Sequence, residues 1–476
     1  DVEAFAKVEM TVWPSYALGA GTGTMAAASN LTKSSVAWFS NFHGRGKRSG
    51  YFASGGNGAA MRIQPHVWKN NPARPGSFIL DVLRDALVSH GHPRGFCGAV
   101  FHAFCLEAAL EDGDVPGPKL WREFALRLRD ISRAVRQDNN LEVFWRNAWE
   151  SGSGVSLEDA ITGVIDECQI LIERVSGALI EQPSVAYHSA VSAIGGFDEK
   201  TRGSGIGTSL SAVLLAWLHR EQSNEDALVL AANALDSDTD TIASMAGAIL
   251  GAAQPQPMNW PLQDREYIER EARRMAVISS GVRTTTHKYP DLLHWEAPSS
   301  QSEVVGMLDD KLVVAGFGTA LAFGDVWSSG DAQWQWLKLP FGQTILAKRR
   351  ARLPQKSVHS MPAKYAEPTS TSRAKPITPL ERERVQRHPP LPGIIGEREG
   401  PPSSASNDVA NRDVSSMSLD ALTDWVIRSD FDPATLGRAV LACIGSTQEQ
   451  QVEKTIAFAA ILAKAVLARR RRQGSK

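Results

Sequence analysis

The chain has 476 residues and 43% hydrophobic content, enough for at least one large core and, as a soft prior, roughly two to four folding units. Its formal charge is −1 and its pI is near 6.9, so no global field draws it to nucleic acid or to an anionic membrane surface. The four cysteines, Cys97, Cys105, Cys168 and Cys443, lack CxxC spacing, which argues against a zinc site and a disulfide framework and fits the reducing cytoplasm.

The chain begins at Asp1, without Met, in sequence that already reads as helical, as a fragment would. From there to about residue 275 the pattern is helical nearly throughout, which predicts a mainly α protein with an all-helical body over residues 1–285. Trp121, Phe124, Leu128, Ile131 and Val135 recur at helical spacing with Arg and Asp between them. Further apolar helices are expected over 79–89, 157–172, 210–218 and 227–234. The apolar runs 210–218 and 456–467 are too short, or carry Lys464, to span a bilayer, and no signal peptide is visible.

Across 300–350 the character changes. Val304-Val305, residues 312–315 and the alternation over 333–339 predict short strands joined by turns at Asp309-Asp310 and Ser329-Gly330, a small β appendage. Residues 351–415, rich in Pro, Ser, Arg and Glu, have too few apolar side chains to offset ordering entropy and are expected to be a disordered linker. Helical periodicity returns over 416–476. Leu419, Leu422, Trp425 and Val426 share a face, Asp432-Pro433 starts a second helix, and a third runs from about 448 to the basic tip at 469–472. That tip suits a solvated helix C-terminus, so general nucleic-acid binding is not expected. The tail carries no recognisable chemistry and is read as a module for a protein partner.

Four clusters could carry chemistry, and a fifth is set aside. Gly19-Ala20-Gly21-Thr22-Gly23-Thr24 lacks GxGxxG spacing and a preceding strand, which discounts a dinucleotide fold. Ser54-Gly55-Gly56-Asn57-Gly58 lets backbone amides approach a ligand, a phosphate above all, although taken alone a plain Gly-rich turn before a helix is the favoured reading. Ser89-His90-Gly91-His92-Pro93 sets two histidines where a helix stops; they could bind phosphate or metal, or simply cap. Arg202-Gly203-Ser204-Gly205-Ile206-Gly207 is a glycine loop opening a helix. Asp236-Ser237-Asp238-Thr239-Asp240-Thr241 offers the carboxylate and hydroxyl oxygens that hard divalent cations prefer, yet the same residues make good helix N-caps.

Taken in order, Gly-Asn-Gly-Ala-Ala-Met-Arg at 56–62, Ser-His-Gly-His-Pro at 89–93 and Asp-Thr-Asp-Thr-Ile-Ala at 238–243 closely resemble the ADP-ribosylglycohydrolase family over roughly residues 1 to 280. The resemblance implies an all-helical fold and a cleft with two Mg²⁺ ions, or Mn²⁺ or Ca²⁺ in their place. It also implies hydrolysis of the glycosidic bond joining ADP-ribose to a protein side chain or another acceptor. Asp238 and Asp240 would then be catalytic and, with Thr241, metal ligands. Ser54, Gly56, Asn57 and Gly58 would hold the pyrophosphate, with His90 reaching the same group, and the loop of Gly203 and Gly205 would line the ribose or adenine side. The family's Thr-Asp-Asp-Thr-like motif, which normally precedes the Gly-Asn-Gly loop, does not occur in residues 1–55. Residues 2–24 resemble the helices that follow it, so an upstream segment is expected. The departure leaves a second reading open, a degenerate member that holds ADP-ribose or a partner without turnover. Asp236-Ser237 stands where the family usually has Gly-Gly.

Overall fold

The structure, a computed structural model, describes residues 1–44, 50–177, 179, 182–256, 261–329, 332–362, 419–444 and the isolated positions 455, 458, 459, 461 and 462. The chain divides into two compact units, Asp1–Thr369 and Ser370–Lys476.

The first unit is helical for most of its length. It opens with α1 (Val2–Ala4), a π-helical turn (Phe5–Glu9) and α2 (Met10–Val12), followed by α3 (Thr22–Leu31), α4 (Gln64–Trp68), α5 (Ile79–Leu87) and α6 (Pro93–Asp112). Then come α7 (Pro118–Arg127), α8 (Asp130–Arg136), α9 (Asn147–Ser153), α10 (Leu157–Ser176), α11 (Pro183–Ile194), α12 (Gly205–Leu218), α13 (Asn224–Asn233), α14 (Thr239–Ala253) and α15 (Arg265–Ser279).

Local chemistry sets these boundaries. Proline at the first helical position, where no intrahelical donor is lost, opens α6, α7 and α11. Ser156 caps α10 by accepting from the Asp159 amide at 3.0 Å. Gly113 ends α6 at φ +66°. The expected stripe of Trp121, Phe124, Leu128, Ile131 and Val135 is fully buried, but α7 ends at Arg127 and α8 carries its last two members.

At the centre α6, α12 and α14 pack against one another. Helices α6 and α12 are apolar on nearly every face, as helices enclosed by others must be. Their contact is backbone on backbone: a Cβ at Gly98 would lie 2.3 Å from the Gly205 carbonyl carbon. That contact fixes where the loop before α12 meets the loop before α6.

The β appendage forms two antiparallel three-stranded sheets, β1 (Val305–Leu308), β2 (Lys311–Val314) and β3 (Gly318–Thr319) in one, β4 (Leu321–Ser329), β5 (Ala332–Lys338) and β6 (Thr344–Arg349) in the other. Asp309 and Asp310, both at positive φ, make the expected two-residue turn. The second expected turn includes Gly330, outside the described residues. Val12 of α2 shares a core with Val305, Val314, Leu337 and Ala347, so the strands rest on the first helical segment.

Within residues 351–362, expected to begin the disordered linker, Pro354 to Lys356 instead pair alongside β1. The Met307 amide donates to the Pro354 carbonyl at 2.9 Å and the Lys356 amide to the Met307 carbonyl at 2.7 Å. Main-chain pairing to a strand edge needs no apolar side chains, so composition could not show it. The rest of that stretch, 363–415, lies outside the described residues.

In the second unit α16 (Leu419–Arg428) and α17 (Pro433–Ile444) bury Leu422, Val426, Ala439 and Cys443 with Phe458 and Leu462. Asp432 caps α17, accepting from the Thr435 amide at 2.8 Å. The basic tip at 469–472 falls outside the described residues. No helix among the described residues is long and apolar enough to cross a membrane.

Candidate functional site

The glycine loop leaves a 3-10 turn (Gly50–Ala53) and continues through turns rather than directly into a helix; α4 starts only at Gln64. It is laced to the second glycine loop by an antiparallel bridge between Gly56 and Ser204. The Asn57 amide donates to the Gly203 carbonyl and the Gly205 amide to the Gly55 carbonyl, each at 2.9 Å. Gly205 is required for packing: a Cβ there would lie 2.5 Å from the Arg94 carbonyl oxygen and 3.0 Å from the Gly95 Cα.

Asn57 then reaches the third motif. Its side-chain amide donates to the Thr208 hydroxyl at 3.0 Å and to the Asp238 carboxyl at 2.7 Å. Asp238 occupies the N-cap position of α14, yet its side chain makes no capping bond. The carboxyl is turned instead toward Asn57, the Thr241 hydroxyl and the Asp240 carboxyl. Burial pushes the Asp238 carboxyl above its usual range, the hydrogen bonds from Asn57 and Thr241 pull the other way, and the Asp240 charge adds to the rise. Gly203 runs alongside, a Cβ there falling 3.7 Å from the Asp238 Oδ2. Asp236 sits at φ +72°, a conformation glycine adopts freely and Asp tolerates, which explains how this chain carries Asp there. Its side chain is exposed.

His90 packs against the Gly-Asn-Gly loop. It is 3% exposed, and a Cβ on Gly58 would come 3.3 Å from its Nε2. Its Nδ1 pairs with the Ser89 hydroxyl at 2.8 Å, and that hydroxyl accepts from Arg62 Nη2 at 2.8 Å. Arg62 also donates to the Gly58 carbonyl at 3.0 Å and to the Asp85 carboxyl at 2.6 Å. Burial first, then the Arg62 and His43 charges, lower His90 to about 3, so its imidazole is neutral near pH 7. His92, the other histidine of that motif, caps α6 by accepting from the Arg94 amide at 3.1 Å. The Ser54 hydroxyl donates to the Gly50 carbonyl at 2.9 Å.

The fold therefore brings Asn57, Gly203, Asp238, Asp240 and Thr241 together, with His90 and Gly58 adjoining. It also adds residues that spacing alone discounted. The first turn of α3 borders the glycine loop: a Cβ on Gly23 would lie 2.6 Å from the Ser54 hydroxyl, and Thr24 Oγ1 is 3.3 Å from the Cβ position of Gly58. The signal available was a small hydroxyl residue beside glycine at a helix start. Among the described residues no group of three or more His, Cys, Asp or Glu side chains is gathered so as to hold a metal ion.

No curated protein matches the chain. The model of the ADP-ribosylglycohydrolase family, however, matches residues 2–283, a span that contains the glycine loop, the His90 motif and the Asp238 turn. Covering more than half of the sequence, that match establishes that the chain belongs to the ADP-ribosylglycohydrolase family.

Proposed function

We propose that this chain hydrolyses the glycosidic bond between ADP-ribose and a modified acceptor. The observation that carries the reading is the Asn57 to Asp238 hydrogen bond, which joins the glycine loop to a pair of adjacent carboxyls. The Asn57 amide is committed to Gly203, so a diphosphate would be held by the neighbouring amides of Gly56 and Gly58. The exposed Asp240 carboxyl and its partner Asp238 would then face the ribose, positioned to orient its hydroxyls and an attacking water and to stabilise positive charge developing at the anomeric carbon.

Asp238, Asp240 and Thr241 supply two carboxylates and a hydroxyl, a donor set that suits one Mg²⁺ completed by water and substrate oxygens. Bound there, the ion would supply Lewis-acid polarisation and lower the pKa of water. A second ion would need donors beyond those that the described residues gather.

The first turn of α3 brings Thr24 and glycine to the loop and no carboxylate, and this favours a second reading, ADP-ribose binding without turnover. One experiment separates the two. The full chain is incubated with Mg²⁺ and ADP-ribosylated arginine, serine and nucleic-acid acceptors, and released ADP-ribose is measured. Release that Asp240→Ala abolishes supports hydrolysis, and equal turnover by that variant overturns it. Saturable ADP-ribose binding by calorimetry with no release establishes the second reading.

A further inference from the structure

Away from the Asp238 turn, a crevice of about 1100 Å³ opens between the first helical segment, α15 and the turns of the β appendage. Aromatic side chains from all three parts line it: Trp13 and Tyr16, Tyr267, and Phe317 and Phe341. Gly316, at φ +84°, lets the strand turn come down on the helix, where a Cβ would lie 2.6 Å from the Val8 Cγ1, beside Glu9.

The rings are turned against one another. Tyr16 and Phe317 meet at 56° with centroids 6.2 Å apart, Phe317 and Phe341 at 80° and 6.0 Å, and Tyr267 and Phe341 at 45° and 5.9 Å. The rings pack on one another at an incline, so they offer single faces to the crevice and no parallel pair between which a planar ligand could stack. One such contact is already made by the protein itself, with the Arg270 guanidinium 5.5 Å from the Tyr267 ring centroid.

Glu9 lies in the same wall. Its carboxyl accepts a hydrogen bond from the Tyr289 hydroxyl and forms no ion pair among the described residues. Burial raises the Glu9 carboxyl, and its charge in turn helps raise Tyr16 and Tyr289, so carboxylate and phenols share one enclosed space. Lys288 and Lys311 also border the crevice, matched by Asp291 and Asp309, so the remaining wall carries no strong sign.

We propose that this crevice binds a small organic cation, a quaternary ammonium or an alkylguanidinium, with Glu9 as its counter-charge and the faces of Trp13, Tyr16, Phe317 and Phe341 as its walls. Aromatic faces attract such cations through the ring quadrupole, and the attraction grows when the site excludes water. Burial favours the neutral form of the Glu9 carboxyl, and a cation seated beside it would draw the group back to the carboxylate.

The test is titration of the full chain with tetramethylammonium and with propylguanidinium at constant ionic strength, followed by tryptophan fluorescence and calorimetry, with sodium as the control and AMP as a planar anion. Saturable binding of at least one organic cation is expected, weakened about tenfold by Glu9→Gln and similarly by Tyr16→Leu, the loss of a partly desolvated charge contact. Lys311→Ala should leave it unchanged. Thermal melts establish that each variant is folded, and Tyr16→Leu decides the matter should Glu9→Gln fail to fold. Absence of saturable binding, binding undiminished in both variants, or AMP occupying the crevice in preference to the cations would overturn the proposal. None of these readouts depends on hydrolysis or on ADP-ribose at the Asp238 turn.

Discussion

The Asn57 side chain donates to the Asp238 carboxyl at 2.7 Å across 181 positions of sequence, and Asp238, at the N-cap position of α14, makes no side-chain capping bond there. Asn57→Ala is therefore expected to cost about 10- to 100-fold in ADP-ribose release or in ADP-ribose affinity, as loss of a group orienting a functional carboxylate does. Stability should fall by about 1 to 3 kcal/mol, the net worth of the two side-chain hydrogen bonds to Thr208 and Asp238. Kinetics or calorimetry beside a thermal melt checks the split, and a large stability loss with unchanged activity would show that the bond is merely structural.

Arg62 holds the floor of the same region. Burial alone would raise the Asp85 carboxyl, but Arg62 and His66 overcome it and hold the carboxyl below its usual range. Arg62→Met leaves that carboxylate 11% exposed with His66 as its remaining partner. A loss of about 3 to 5 kcal/mol follows, the usual result of breaking one side of a buried pair. Urea unfolding at pH 7 measures it. Because the folded pKa is depressed, this stabilisation is full above the unfolded value of about 4 and disappears as the pH falls through the folded one. The destabilisation by Arg62→Met should therefore shrink in acid.

His102 also costs stability as the pH falls, but over a higher window and through burial rather than through a lost ion pair. It is fully buried on α6, neither ring nitrogen has a hydrogen-bond partner among the described residues, and burial lowers it to about 3. The unfolded chain takes up a proton below about pH 6.5 that the folded state refuses, so stability drains away as the pH falls from there toward 3 at about 1.4 kcal/mol per unit. His102→Leu should remove about that much from the slope and leave stability at pH 7 equal or higher, since no bonded partner is orphaned. Denaturation curves at pH 7, 6 and 5 decide it. An unchanged slope would mean that His102 is protonated in the folded state.

Much of this was legible in the sequence, and what was not has identifiable causes. The body could be read because α5, α10 and α12 carry apolar positions at helical spacing, with Ser156 and Gly205 at the starts of the last two. The three motifs could be read because hydroxyl, carboxylate and glycine residues cluster at element starts. The direction of the Asp238 side chain could not, since a cap and a turned-out carboxylate share one local sequence and differ only in a partner as remote as Asn57. Gly23 and Thr24 escaped for the same reason, their neighbours being Ser54 and Gly58 on another loop. Gly205 looked like part of a ligand loop, and its demand for space comes from Arg94 and Gly95 on another element.

That demand can be measured at the crossing of α6 and α12. A methyl group at Gly98 would meet the Gly205 carbonyl carbon at 2.3 Å, its oxygen at 2.5 Å and the Ile206 amide nitrogen at 2.7 Å, all backbone atoms that no side-chain rotation relieves. Gly98→Ala gains roughly 1 kcal/mol of helix propensity but must push two central helices apart, and overpacking of this kind costs about 1 to 3 kcal/mol or more. The displacement would also act on the site, because the Gly205 amide is bonded to the Gly55 carbonyl and the Gly56 to Ser204 bridge depends on that spacing. Gly98→Ala should therefore lower the melting temperature and weaken ADP-ribose binding together. Gly163→Ala, on α10 with nothing within 4 Å of its Cβ position, should raise stability modestly and leave binding alone. A stable Gly98→Ala variant with intact binding would mean that the crossing has slack, and that the two glycine loops are held in register by their own hydrogen bonds rather than by the helices behind them.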